Sequence, residues 1–88
     1  MMTETHDIRL KRLKMRSMRR GIKEMDIILS GFADVHLVEM SVAQIDLYEE
    51  FLEENDQDLY QWVSGQAHGD AQYKMLLNQI KIYISSRY

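Results

Sequence analysis

The chain has no cysteine and no proline among its 88 residues. Without cysteine there are no disulfide staples and no thiolate metal sites, which fits a reducing compartment. Without proline the strongest interruption of helical pattern is missing. Long apolar runs are missing too. None approaches the roughly 18 residues that would cross a membrane, and Met1 to Arg12 holds no apolar segment of secretory type. No phosphate loop and no glycine-rich dinucleotide fingerprint is present. Positive charge is scarce over most of the length. Residues 25–88 carry three Lys/Arg against eleven Asp/Glu, and from Glu39 to Asp58 eight acids stand without a base.

What is present is ordinary in amount and uneven in placement. A hydrophobic content of 45% is that of a globular domain and excludes a disordered chain. The length suits one domain, residues 1–88, with a small core, because a chain this short buries only roughly 60–65% of its unfolded surface. Residues 1–24 hold eight Lys/Arg and three Asp/Glu, a net of plus five inside a chain whose overall charge is −3. The protein is a charge dipole, a basic head on an acidic belt. A domain built for DNA affinity would be basic overall.

Apolar residues recur at three and four throughout, so the expected fold is all-α, a compact five-helix bundle with short loops. The first helix starts at a cap on Thr5 or Asp7 and runs to Arg19. Ile8, Met15, Met18 and Ile22 form its apolar stripe, and Gly21 serves as a left-handed stop. The second runs from Ile22 to Phe32 or a little beyond, with Met25, Ile28, Leu29 and Phe32 on one face. Gly31 weakens its second half by about 1 kcal/mol relative to alanine. The third opens with the capping box Ser41-Val42-Ala43-Gln44 and ends near Asn55. Val42, Ile45, Tyr48 and Leu52 are expected to be buried, and Glu49, Glu50, Glu53 and Glu54 wet. The fourth runs from Asp56 to Ser64, capped by Asn55 or Asp56, and stops at Gly65. The fifth follows a cap at Asp70 and reaches Ser85, with Tyr73, Leu76, Leu77, Ile80 and Tyr83 inward.

Little of this carries chemistry. Paired carboxylates need an apolar pocket to split their roles, and the acids of the third helix read as a solvated face. His6, His36 and His68 share no ligand spacing, and a zinc site needs three or four convergent donors. His68, beside Asp70 in a glycine-flanked loop, reads as a surface histidine. No catalytic residue and no metal site is expected. The basic first helix offers an alternative, a nucleic-acid or protein-binding module whose affinity would fall steeply with salt. Of seven methionines, Met15, Met18, Met25 and Met75 fall on expected core stripes.

One run stands out: Arg19-Arg20-Gly21-Ile22-Lys23-Glu24. Read blandly, Gly21 stops a helix and Arg20 pairs with Glu24 on the surface. Arginine before glutamate is the poorer order for such a pair, and the glycine between them disturbs the turn. An exposed arginine and glutamate beside a reversal suit recognition of another protein's polar groups.

Arg19-Arg20-Gly21-Ile22-Lys23-Glu24-Met25-Asp26-Ile27 resembles the signature of the SdhE-type flavinylation factors, R-G-x-x-E followed by an aspartate. Leu52 to Trp62, with Asp58-Leu59-Tyr60-Gln61-Trp62 at its end, is similar to the family's second marker, an acidic stretch closing on D-L-[FY]-x-W. The resemblance covers about residues 8–84. The chain departs from the family in having Gln57 where a turn proline is common, and Ser30-Gly31 where another proline follows the second helix's first apolar run. The resemblance implies a non-catalytic assembly factor. Such a factor binds the flavoprotein subunit of succinate dehydrogenase, in bacteria also that of fumarate reductase, and promotes covalent attachment of FAD to a histidine of that subunit. It implies no stably bound cofactor. Arg20, Gly21 and Glu24 match the motif and are expected at the contact, with Arg19 and Asp26 on its flanks. A monomeric protein of the bacterial cytoplasm, touching neither nucleic acid nor membrane, completes the expectation.

Overall fold

Helix ends leave amides without partners, and side chains placed to accept from them decide where this chain turns helical. The computed structural model describes residues 4–87. Thr5 accepts from the Ile8 amide at 3.2 Å and opens α1, His6–Arg16. Ser41 and Gln44 form the expected reciprocal box and open α3, Val42–Leu52. Asn55 accepts from the Gln57 amide at 2.8 Å and opens α4, Asp56–Ser64. Gln57 thus supplies a donor that a proline at this position would lack. Between these lie α2, Lys23–His36, and a 3-10 turn, Leu37–Glu39. A second 3-10 turn, Ala71–Tyr73, leads into α5, Lys74–Arg87. The described residues contain five α-helices and no strand, as the periodicity predicts.

Several boundaries and faces differ from expectation, for identifiable reasons. α1 stops at Arg16, three residues early; Ser17, fully buried, is its C-cap, and the chain leaves the right-handed region at Arg19. The Ser17 hydroxyl donates to the Leu13 carbonyl at 2.8 Å and lies 2.6 Å from the Tyr48 hydroxyl. The left-handed residue of the reversal is Arg19, at φ 54°, and not Gly21. The expected stripe of α1 is open to solvent: Met15 is 72% exposed, and Ile8 and Met18 are exposed as well. Only Leu13 is buried from this helix. Val42 and Met75 are also exposed, so Met25 is the one methionine of the four that fills the core. α3 ends at Leu52, short of Asn55, which is committed to capping α4. Asp70 has the extended backbone of a cap but makes no side-chain cap bond, and a 3-10 turn intervenes before α5.

Gly31 sits inside α2, which continues through it to His36. A Cβ at Gly31 would collide with the Tyr83 hydroxyl, so the missing side chain lets α5 close on α2. The core is aromatic at its centre. Phe32 packs on Tyr48 at 5.9 Å between ring centres, Phe51 meets Tyr73 edge-on at 5.3 Å, and Trp62 lies 5.9 Å from Tyr73. Such pairs add about 0.5–1.5 kcal/mol beyond the area they bury.

Two of these phenols are unusual acids. Burial pushes Tyr48 up to about 12 against the opposing bond from Ser17. Burial, and then the Glu54 carboxylate that Tyr73 donates to at 3.2 Å, pushes Tyr73 up to about 12. A folded pKa above the unfolded value near 10 contributes stability that is whole below pH 10 and is lost as pH climbs toward 12. Denaturant midpoints should therefore hold level up to about pH 10 and fall beyond it. Tyrosinate absorbance should show Tyr48 and Tyr73 ionising only with unfolding. A single early titration of all the tyrosines, with no fall in midpoint, would contradict this.

Candidate functional site

Arginines recur in α1 and the following turn at 9, 12, 16 and 20, which places them on one side of the helix. Acids recur at 46, 49, 53 and 56 along α3 and into α4, in step with the arginines except for a last interval one residue shorter. The fold aligns the two rows rung by rung. Arg9 donates to Asp46 at 2.6 Å and to Glu49 at 2.9 Å. Arg12 reaches Glu49 at 2.9 Å and Glu4 at 2.7 Å. Arg16 meets Glu53 at 2.6 Å, and Arg20 meets Asp56 at 2.8 Å. The basic head and acidic belt thus neutralise each other along much of their length. Glu49 is not simply a wet residue. The Arg12 guanidinium first, and Arg9 beside it, hold its carboxyl below the usual carboxylate range against a partial burial that raises it. Exposed rungs contribute little singly, about 0–1 kcal/mol each, and are weakened by salt.

The last rung is built differently. The Arg20 side chain is only 11% exposed, and each of its three nitrogens donates a hydrogen bond within the chain. Nε donates to Asp56 Oδ1, Nη1 to the Arg16 carbonyl at 2.9 Å, and Nη2 to the Leu52 carbonyl at 3.0 Å. The second oxygen of Asp56 accepts the Gly21 amide at 2.7 Å. Arg20 is therefore not the exposed, uncommitted arginine that the sequence suggests. It closes the ends of α1 and α3, whose last carbonyls lack helical partners. Gly21 owes its place to this carboxylate, since a Cβ there would stand 3.1 Å from Asp56 Oδ2. Two runs 35 residues apart in sequence, R-G-x-x-E and the acidic stretch before D-L-Y-x-W, are joined through Asp56.

On this frame the other motif residues separate by role. Arg19 is exposed at the left-handed position. Glu24 is exposed in the first turn of α2, where the helix dipole favours an acid. Among the described residues it has no ion pair or side-chain hydrogen bond, and the Arg20–Glu24 pair does not form. Asp26 is half-buried and accepts from Ser30 at 3.3 Å, and the same hydroxyl reaches the Ser17 carbonyl at 3.4 Å. Ser30 has one proton to give, so its bond to the Ser17 carbonyl, which ties α2 to the end of α1, competes with its bond to Asp26. Of the five expected contact residues, Arg19, Gly21 and Glu24 are exposed and Asp26 is half-buried, while the Arg20 side chain and the Gly21 amide brace the reversal through Asp56.

The sequence reading treated Asp56 as a cap and part of a marker, and missed its double bond to the motif. The signal available was the nearly matched spacing of the arginine and acid rows. No group of three or more His, Cys, Asp or Glu among the described residues could hold a metal ion. His36 stacks on Phe32 at 4.7 Å, and His68 lines an open cleft with Lys74 and Lys81. No described helix is long and apolar enough to cross a membrane.

The described residues form a small helical bundle with a braced, charged reversal at the end of α1. Residues 11–83 match the family model described as flavinator of succinate dehydrogenase, and the chain belongs to that family. The resemblance read from the two markers is borne out. The chain is similar to proteins named succinate dehydrogenase assembly factor 2, mitochondrial. That of Aspergillus terreus is 48% identical over 56 residues, 64% of this chain and 19% of that protein. That of Meyerozyma guilliermondii is 43% identical over 61 residues, 69% of this chain and 45% of the relative. That of Schizosaccharomyces pombe is 38% identical over 71 residues, 81% of this chain and 51% of the relative. The chain therefore spans between about a fifth and about half of the length of these relatives.

Proposed function

We propose that this protein is an assembly factor that binds the flavoprotein subunit of succinate dehydrogenase and promotes covalent attachment of FAD to a histidine of that subunit. The flavoprotein subunit of fumarate reductase is the second candidate partner. The observation that carries the reading is the braced reversal: Arg19, Gly21 and Glu24 exposed on a turn that Arg20 and the Gly21 amide fix through Asp56. Family membership directs that surface toward succinate dehydrogenase. The factor supplies no nucleophile and holds no cofactor of its own. The flavoprotein attaches its own FAD, and the factor holds it in the conformation that brings histidine and flavin into near-attack geometry. Glu24 gives a charge-assisted hydrogen bond to a donor of the flavoprotein, and Arg19 pairs with an acid.

Nucleic-acid binding through the first helix is disfavoured, because Arg9, Arg12, Arg16 and Arg20 are already paired with acids. The proposal takes the factor as a monomer when alone. It takes the bacterial cytoplasm as the setting, with the mitochondrion, which stands in the relatives' names, as the rival one.

The test is direct. The apo-flavoprotein is incubated with FAD and a dicarboxylate, with and without the factor, and covalent flavin is read on a denaturing gel. The wild type should raise the rate or yield of labelling, and Glu24→Ala should lower that gain by about 10-fold or more, as loss of a central charged contact does. A competent flavoprotein that gains nothing from the wild type would overturn the reading.

A further inference from the structure

The motif helix carries a second feature beside its glutamate. Ile27 is 48% exposed, one turn on from Glu24, and Ile28 and Ile84 lie beside it half-buried. These residues and Glu24 line an open groove of about 270 Å³ between α2 and α5. Three isoleucines and the aliphatic part of Glu24 line it, and its surface is almost wholly apolar. An open groove smaller than the roughly 300–1,000 Å³ of small-molecule pockets suits a side chain of another protein better than a free ligand.

We propose that this groove receives an aliphatic side chain of the flavoprotein, presented next to a lysine or arginine that pairs with Glu24. The inference rests on the reading that the motif surface faces the flavoprotein, and it names the chemistry of the docking segment. Two observations select the occupant. The first is charge complementarity, since Glu24 on α2 has no ion pair among the described residues, whereas the acid row of α3 and α4 is matched by arginines. The second is continuity, because the groove begins at the motif residue itself. Other exposed apolar residues, such as Met15, Val38 and Met75, do not line it. The apolar insertion excludes water from the Glu24 pair, and so makes that pair stronger than a rim contact.

Binding of the flavoprotein subunit to the full chain should be measured by calorimetry for the wild type, Ile27→Asp, Ile27→Ala, Glu24→Ala, the double variant Glu24→Ala/Ile27→Ala, and Val38→Asp as an exposed control. Ile27→Asp should weaken binding by about 10-fold or more, and Val38→Asp by less than about twofold. The double variant should lose less than the product of its two single losses, because both residues serve one docking segment. Circular dichroism should report all variants folded, since neither Ile27 nor Val38 is buried. If the wild type binds and Ile27→Asp binds equally well, the groove is the wrong place and the function stands. If the wild type does not bind, the function itself fails. A concentration-dependent dimer that Ile27→Asp abolishes would assign the groove to a second copy of this chain and overturn the inference.

Discussion

Asp56→Ala is expected to lower the stability of the chain by about 2–4 kcal/mol, near the range for breaking a largely buried charge pair. The size follows from what is left behind. Arg20 loses its only anionic partner while its side chain stays 11% exposed. The Gly21 amide loses its acceptor, and α4 loses an acid from its first turn. A chain of this length has on the order of 5–10 kcal/mol in hand, so a large fraction is removed. Thermal midpoints should fall by about 10–25 °C, at the 4–8 °C per kcal/mol usual for small domains. Asp56→Asn keeps the shape and one good acceptor, and should cost about half as much. Arg20→Ala should cost less than Asp56→Ala, since it removes the buried charge together with its bonds. The double variant should come out well short of the sum, because both changes break one network. Losses that simply add, or an Asp56→Ala midpoint within a few degrees of the wild type, would show that this rung is only another surface pair.

The same rung bears on function. Glu24 is presented by a reversal that Arg20, Gly21 and Asp56 hold rigid. At a temperature where Asp56→Ala is still folded, it should bind the flavoprotein less well than the wild type although it retains every motif residue. A motif of short-range charged contacts needs this bracing, because ordering the turn at the moment of binding would subtract from affinity.

How far the sequence could lead is clear from particular residues. Caps were legible because they are local: Ser41 with Gln44, Asn55, and Gly65 after α4 each act within a few positions. The inward faces of α2, α4 and α5 were legible because the apolar period there coincides with burial. α1 was misread for the same reason in reverse. Its period of three and four is shared by Ile8, Met15 and Met18 and by the arginine row, and periodicity alone does not say which stripe meets the protein. The acids of α3 decided it, by offering partners to the arginines, and those partners lie more than thirty positions away. Arg20 was legible as important but not as buried, since its three acceptors come from α1, α3 and α4. Gly21 was assigned a left-handed backbone that Arg19 adopts instead. Its actual constraint, the approach of Asp56, is a tertiary contact with no local trace. Glu24, Ile27 and the groove show the remaining gap: their exposure was foreseeable for the glutamate and not for the isoleucine, which stands in an apolar helix.

Gly31→Ala should destabilise the protein, against the rule for a solvent-facing helix. In an ordinary helix interior the change stabilises by about 1 kcal/mol, because alanine restricts the unfolded chain. Here the new methyl would occupy the position of the Tyr83 hydroxyl. Tyr83 has little room to give, being 7% exposed and set edge-on to Phe32 at 5.9 Å and His36 at 6.0 Å. Overpacking of this kind costs about 1–3 kcal/mol, so the expected net loss is about 1–2 kcal/mol, and the midpoint should fall by about 5–15 °C. The sign is the stronger test. In a Tyr83→Leu background the obstacle is gone, and adding Gly31→Ala should then be neutral or stabilising by up to about 1 kcal/mol. A coupling of that size between residues 31 and 83 identifies close approach of α5 as the reason for glycine in α2. Equal effects of Gly31→Ala in both backgrounds would place the reason elsewhere. Ile84, beside Tyr83 on α5, forms one wall of the groove at Glu24 and Ile27, so the approach of α5 that requires glycine at 31 also brings Ile84 to α2.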